Sequence, residues 1–173
     1  MILWCIIIAA LVILDQVTKI LVAGNMVLHE SIPVIPKLFS LTYIHNYGAA
    51  WGMFSEHRWV FLIITAAALI IMPIILYRYR KLHFLFGFSL SMILAGAIGN
   101  MIDRVFLGYV VDFIEAVFID FPVFNVADIC VTFGAFLMAI YLIFLDKTFF
   151  VDKPKNAPNG EADHGTDAKN DTN

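Results

Sequence analysis

Hydrophobic positions along the chain gather into four long blocks that offer no polar face. The first runs from Met1 to about Ala23, and Asp15, Gln16 and Lys19 interrupt its second half. The second, Trp59 to Tyr77, and the third, Phe84 to Ile102, carry no charge, although Asn100 is polar. The fourth runs from Ile129 to Leu145. A helix rises about 1.5 Å per residue, so about 20 residues cross a hydrocarbon layer of ~30 Å. All four blocks fit, the last at the lower limit, and backbone groups in lipid must be satisfied internally, so the blocks are predicted to be helices. Between the first two, Phe39, Leu41 and Tyr43 alternate with Ser40 and Thr42, the period of a half-buried strand; Pro33 and Pro36 precede this stretch, and Gly48 and Gly52 follow it. The pattern predicts an all-α integral membrane protein of four transmembrane helices, with a small extracytoplasmic β element between helices 1 and 2. Residues 1–147 form the membrane domain in this reading. Residues 148–173, rich in Pro, Gly, Asn and Asp and poor in apolar residues, are expected to be a disordered cytoplasmic tail.

Composition sharpens the class. Of the 173 residues, 61% are hydrophobic and 14% charged, against about 25% charged in a typical soluble domain. With a mean hydropathy of +0.86, a disordered chain, a nucleic-acid binder and a disulfide scaffold are excluded, and a net charge of −3 offers nothing to a polyanion. Cys5 and Cys130 lie in apolar stretches and suggest no bridge. The first block lacks the basic start of a cleaved leader, and Asp15 and Lys19 fall where a cleavage region would be small and neutral, so a retained helix is expected. The densest basic cluster, Arg78-Tyr79-Arg80-Lys81, joins the second and third blocks and should be cytoplasmic. Both termini are then cytoplasmic, and residues 24–58 and 103–128 face outside. The latter segment holds Asp103, Asp112, Glu115, Asp120 and Asp128 against one base, Arg104.

Charges near a membrane core are costly, about 2.5–3.5 kcal/mol each on insertion scales, and so mark candidate sites. Asp15 and Lys19, four apart with the acid first, read either as a neutralised pair at a helix end or as a brace for an outward-facing site. Gly96, Asn100 and Asp103 share a helical face. Gly96 and Gly99 have no side chain, so another backbone or a substrate can approach closely, and Asn100 offers two donors and an acceptor at the outer end of the span; the plainer reading is helix packing with an interfacial Asp103–Arg104 cap. Asp128 alone reads as a helix N-cap and Asp112 alone as a loop acid. Both acids are nevertheless flanked by apolar residues at the outer membrane surface. Two carboxyls held close share a proton, so one can activate water while the other protonates a carbonyl, as in the aspartic-protease dyad. That chemistry needs no metal and no cofactor. No H-E-x-x-H pair, nucleophile elbow or glycine-rich phosphate loop is present, and the histidines show no ligand spacing. The rival readings are a proton-coupled transporter with carboxylate relays and a non-catalytic assembly factor.

Five blocks, in order, carry a resemblance: Asp15-Gln16-Val17-Thr18-Lys19, Asn46-Tyr47-Gly48-Ala49-Ala50, Gly96 through Arg104, Val110-Val111-Asp112-Phe113 and Phe124-Asn125-Val126-Ala127-Asp128. Together, over about residues 1–147, the chain resembles the lipoprotein signal peptidases (signal peptidase II), aspartic endopeptidases of the bacterial inner membrane. Ala95 stands where that family often has a second glycine. The resemblance implies that Asp112 and Asp128 are the catalytic dyad. It implies that Asn46, Asn100, Arg104 and Asn125 line the site and hold substrate, and that Asp15, Lys19 and Asp103 support it. The implied substrate is a prolipoprotein whose cysteine already carries diacylglycerol, cut on the N-terminal side of that cysteine at the extracytoplasmic face. It also implies inhibition by globomycin-type peptides; apart from the resemblance, membrane lipid is the expected surrounding partner, four spans can form a monomer, and no cofactor, metal or nucleic acid is expected.

Overall fold

The computed structural model describes residues 1–48, 58–79 and 83–145. The block Asn46-Tyr47-Gly48-Ala49-Ala50 is therefore described only through Gly48. Gly52, Arg80, Lys81 and the tail lie outside the described residues.

Each apolar block forms a helix: α1 (Ile2–Asn25), α2 (Arg58–Arg78), α3 (Phe84–Phe106) and α4 (Val126–Ile140), which continues into a π-helical turn, Tyr141–Leu145. Among the described residues three apolar stretches are long enough to cross a membrane, namely α1, α3 and Val126–Leu145; α2 contributes a shorter one, Leu62–Arg78. Leucine, isoleucine and phenylalanine outnumber breakers in all of them, and Pro73 is tolerated inside α2. His83 caps α3, its Nδ1 accepting from the Leu85 N–H at 3.1 Å. Outward positions such as Ile13, Ile20, Ile63, Ile70, Phe136 and Phe144 are exposed on the bundle, as a lipid solvent requires. Helix α3 packs against α1, α2 and α4. More than half of its apolar stretch is buried, against a small fraction of α1 and of α4, which makes it the central post.

The β element is larger than the sequence pattern predicts. Strands β1 (Ser31–Ile35) and β2 (Phe39–Asn46) form a hairpin, and β3 (Val110–Ala116), which arrives from between α3 and α4, pairs antiparallel with β2. Ile44 lies opposite Asp112 and Asn46 opposite Val110. Asp112 is thus a strand residue, not a loop acid. Gly108, at φ 85, makes the turn out of α3 that starts β3. The sheet is fastened to the bundle by a cluster of Val22, Tyr43, Val111 and Phe113. At the other end of the bundle Trp4, Leu76 and Leu90 join α1, α2 and α3.

Two helix limits move the polar residues. Helix α3 runs past Ile102, so Asp103 and Arg104 belong to its last turns. Helix α4 begins at Val126, so Asp128 lies inside it at N3 and Asn125 is the N-cap.

Candidate active site

The start of α4 sets one carboxylate. The Asn125 side chain accepts from the Asp128 N–H at 3.0 Å, and Asp128 Oδ2 accepts from the Asn125 N–H at 3.1 Å, a reciprocal capping box. The other oxygen, Asp128 Oδ1, accepts from Asn100 Nδ2 at 2.8 Å. Strand β3 sets the second carboxylate. Asp112 Oδ2 accepts from Asn46 Nδ2 at 2.8 Å, and Asp112 Oδ1 accepts from Asn125 Nδ2 at 2.6 Å. All four carboxylate oxygens therefore have an amide donor, and Asn125, fully buried, touches both acids. Asn125 Nδ2 also donates to Asn100 Oδ1 at 3.0 Å, which closes the ring of amides.

Burial pushes the Asp112 carboxyl up to about 7, and the Asp128 charge adds to the rise; hydrogen bonds from Asn46 and Asn125 and the charge of Lys19 oppose it. Asp112 is 1% exposed, so its charged form is poorly solvated. Arg104 reaches across the site from α3 and donates to the carbonyl oxygens of Asn100 and Gly48, each at 3.2 Å. Asn46, Gly48, Arg104, Asp112 and Asp128 form the polar end of a cavity of about 810 Å³ whose other walls include Phe121, Phe124, Ile129, Phe133 and Phe136. A smaller cavity of about 320 Å³ between α2, α3 and α4 meets the first at Arg104, Asp128 and Thr132. An apolar trough ending on two carboxyls suits a substrate with an apolar anchor and one polar bond to be attacked.

Behind the pair lies a buried ionic group. Lys19 Nζ is 3.0 Å from Asp15 Oδ2 and 3.0 Å from Asp103 Oδ2, and it donates to Asn100 Oδ1 at 2.9 Å. The expected i,i+4 pair of Asp15 and Lys19 is present, but it sits inside the bundle under the site, and Asp103 pairs with Lys19 where the capping reading had placed Arg104. Gly96 and Gly99 keep α3 thin at this level: a Cβ on Gly96 would strike the Ala127 carbonyl oxygen, and one on Gly99 the Asp15 carboxylate. All nine polar residues singled out in the sequence, Asp15, Lys19, Asn46, Asn100, Asp103, Arg104, Asp112, Asn125 and Asp128, thus fall into one connected network. Sequence reasoning gave no role to Gln16, whose Nε2 donates to Asp15 Oδ2, Asp103 Oδ1 and the Gly99 carbonyl. Its place between Asp15 and Lys19 was the available signal. No group of three or more His, Cys, Asp or Glu placed to hold a metal occurs among the described residues.

Fold and site define a class, that of helical membrane proteins carrying two closely wired carboxyls, one buried and one half-buried, at the end of an apolar trough. Comparison with known proteins narrows it. The family model for signal peptidase (SPase) II matches residues 7–144. A lipoprotein signal peptidase of Symbiobacterium thermophilum is 43% identical over 138 residues, covering 79% of this chain and 91% of the relative. One from Brevibacillus brevis is 45% identical over 144 residues, covering 83% and 96%. A solved structure described as a bacterial membrane enzyme obtained by the in meso method at 2.3 Å aligns with a TM-score of 0.76 at 38% identity, over 90% of this chain and 94% of the other. The chain belongs to the signal peptidase II family, a family of membrane peptidases that process prolipoproteins.

Proposed function

We propose that the protein is an aspartic endopeptidase that removes the signal peptide from diacylglyceryl-modified prolipoproteins, cutting on the N-terminal side of the modified cysteine. The observation that carries this reading is the pair of carboxyls, buried Asp112 and half-buried Asp128, tied to one asparagine and lining one apolar cavity. One member is ionised and takes a proton from water. The resulting hydroxide attacks the scissile carbonyl carbon while the neutral member gives its proton to the carbonyl oxygen. Collapse of the tetrahedral intermediate breaks the C–N bond, and the cysteine nitrogen leaves with a proton returned by the pair. Asn46, Asn100, Asn125 and Arg104 orient the carboxyls and the substrate backbone, and Asp15, Lys19 and Asp103 support them from below.

In the same reading α2 is the fourth membrane span. Arg78 at its end, together with Arg80 and Lys81, sets that end in the cytoplasm, with both termini on the same side and the site near the extracytoplasmic face of the bacterial inner membrane. The peptidase unit is residues 1–147. One chain supplies both carboxyls, so a monomer suffices, and globomycin-type peptides would compete for the trough. No observation favours the transport alternative, and membership of a peptidase family speaks against it.

The test is incubation of the purified protein with one precursor in two forms, with and without diacylglycerol on its cysteine. Cleavage of the lipidated form alone, leaving a product that begins at that cysteine, is expected. Equal cleavage of both forms would refute the substrate assignment.

A further inference from the structure

The bonds under the site have a two-fold logic. Lys19 holds two carboxylates, Asp15 on its own helix and Asp103 on α3, both at 3.0 Å. The free oxygen of Asp15, Oδ1, accepts from the Ala127 N–H at 2.9 Å, one residue before Asp128. Asp103 Oδ2 also accepts from the Val111 N–H at 3.0 Å, one residue before Asp112. Lys19 Nζ further donates to Asn100 Oδ1, and an ammonium can only donate, so the Asn100 amide nitrogen must face Asp128.

We infer that Lys19 is a positioning residue that sets the separation of the two catalytic carboxyls, clasping Asp15 and Asp103 so that each fixes the backbone immediately before one member of the pair. The inference rests on the reading of Asp112 and Asp128 as the dyad. Lys19 is 2% exposed, Asp15 1% and Asp103 2%. Burying three charges is a poor route to stability, since desolvation offsets most of the attraction and apolar side chains of similar volume do as well. What a buried ion group supplies is a fixed geometry, here at the two backbone points from which the carboxyls project. The groups touching Lys19 are Asp15 from α1 and Asn100 and Asp103 from α3, with Gln16 of α1 bonded to both acids; Asp112 of β3 and Asp128 of α4 feel its charge.

The test uses full-length enzyme in lipid and the charge-balanced double variant Lys19→Met with Asp103→Asn. That exchange keeps the formal charge of the buried group and leaves an acceptor for the Val111 N–H. Melting close to wild type is expected, with kcat on lipidated prolipoprotein down about 100-fold, the cost of misplacing reacting groups by about 1 Å. KM should change by less than about threefold, because the trough is untouched. The bell-shaped pH profile of kcat/KM should narrow, since carboxyls that drift apart repel less and their two apparent ionisations converge. Lys19→Arg, which restores a cation between the two acids, is expected to recover at least about tenfold of the loss. Wild-type kcat in the double variant, a lowered profile of unchanged width, absence of recovery in Lys19→Arg, or collapse of the fold on the charge-balanced exchange would each overturn the inference. Asp112→Asn and Asp128→Asn, assayed alongside, separate the two claims: if either cleaves normally, the dyad reading itself fails. If both are inactive while the Lys19 variants behave as wild type, only the clasp fails.

Discussion

Asn125 reaches both carboxyls at once, giving a side-chain N–H to Asp112 and a backbone N–H to Asp128. Replacing it by alanine removes a donor from Asp112 and the cap from α4. We expect kcat to fall about 100-fold or more, the scale of losing one preorganised donor, and the melting free energy to drop by about 1 kcal/mol for the cap. Steady-state kinetics and thermal unfolding of Asn125→Ala check the two effects separately. Asp112 gives the pH dependence its sign. Its carboxyl is lifted to about 7 by burial and by Asp128, and the mechanism needs one carboxyl of the pair protonated. As pH rises through about 7 that proton is lost, so kcat/KM should decline on the alkaline side of neutrality. A flat kcat/KM between pH 6 and about 9 would contradict the shared-proton account.

Element by element, the helices were legible because a run of apolar residues long enough to cross lipid has few other fates. Their ends were not. The apolar pattern stops at Ile102 and starts again at Ile129, whereas the helices extend to Phe106 and back to Val126, because Asp103 and Asp128 find partners inside the bundle that hydropathy does not register. Strand β3 was missed although Val110-Val111-Asp112-Phe113-Ile114 is rich in strand-forming residues. Its pairing partner lies far back in the chain, in β2, and an embedded aspartate breaks the alternation. The glycines of α3 were read correctly as points of close approach: the neighbours are the backbone of Ala127 and the carboxylate of Asp15. Gly96→Ala should therefore push the start of α4 away from α3 and carry Asp128 with it, lowering kcat at least tenfold, a fraction of an ångström being enough. A Gly96→Ala enzyme with unchanged kcat would show that α4 can shift without moving the carboxyl.

For the molecule as a whole, the separation of tasks follows from lipid as solvent. Exposed isoleucines, leucines and phenylalanines face outward, and the polar residues crowd into one end of the bundle under a three-stranded sheet. Five sequence blocks far apart along the chain carried most of the site, since each holds residue types that are expensive in a membrane and would not persist there without partners. What they did not disclose was the wiring: that Asn125 and not Asp128 caps α4, that Asp103 bonds Lys19, and that Gln16 joins both acids beneath the site. Those facts depend on how α1, α3, α4 and β3 pack, which no local pattern encodes. The proposed preference for a membrane-held precursor, tested by the lipidated and unlipidated forms, belongs at this scale because the trough is walled by apolar residues of α4 and of the loop before it.

The central claim is that Asp112 and Asp128 act as one catalytic pair. The most direct measurement is single-turnover cleavage of a diacylglyceryl-modified prolipoprotein by purified Asp112→Asn and Asp128→Asn enzymes, each first shown to be folded and able to bind the precursor. The account predicts that both variants bind and neither cleaves, with rates down by at least about 10³-fold. Near-normal cleavage by either one would contradict it.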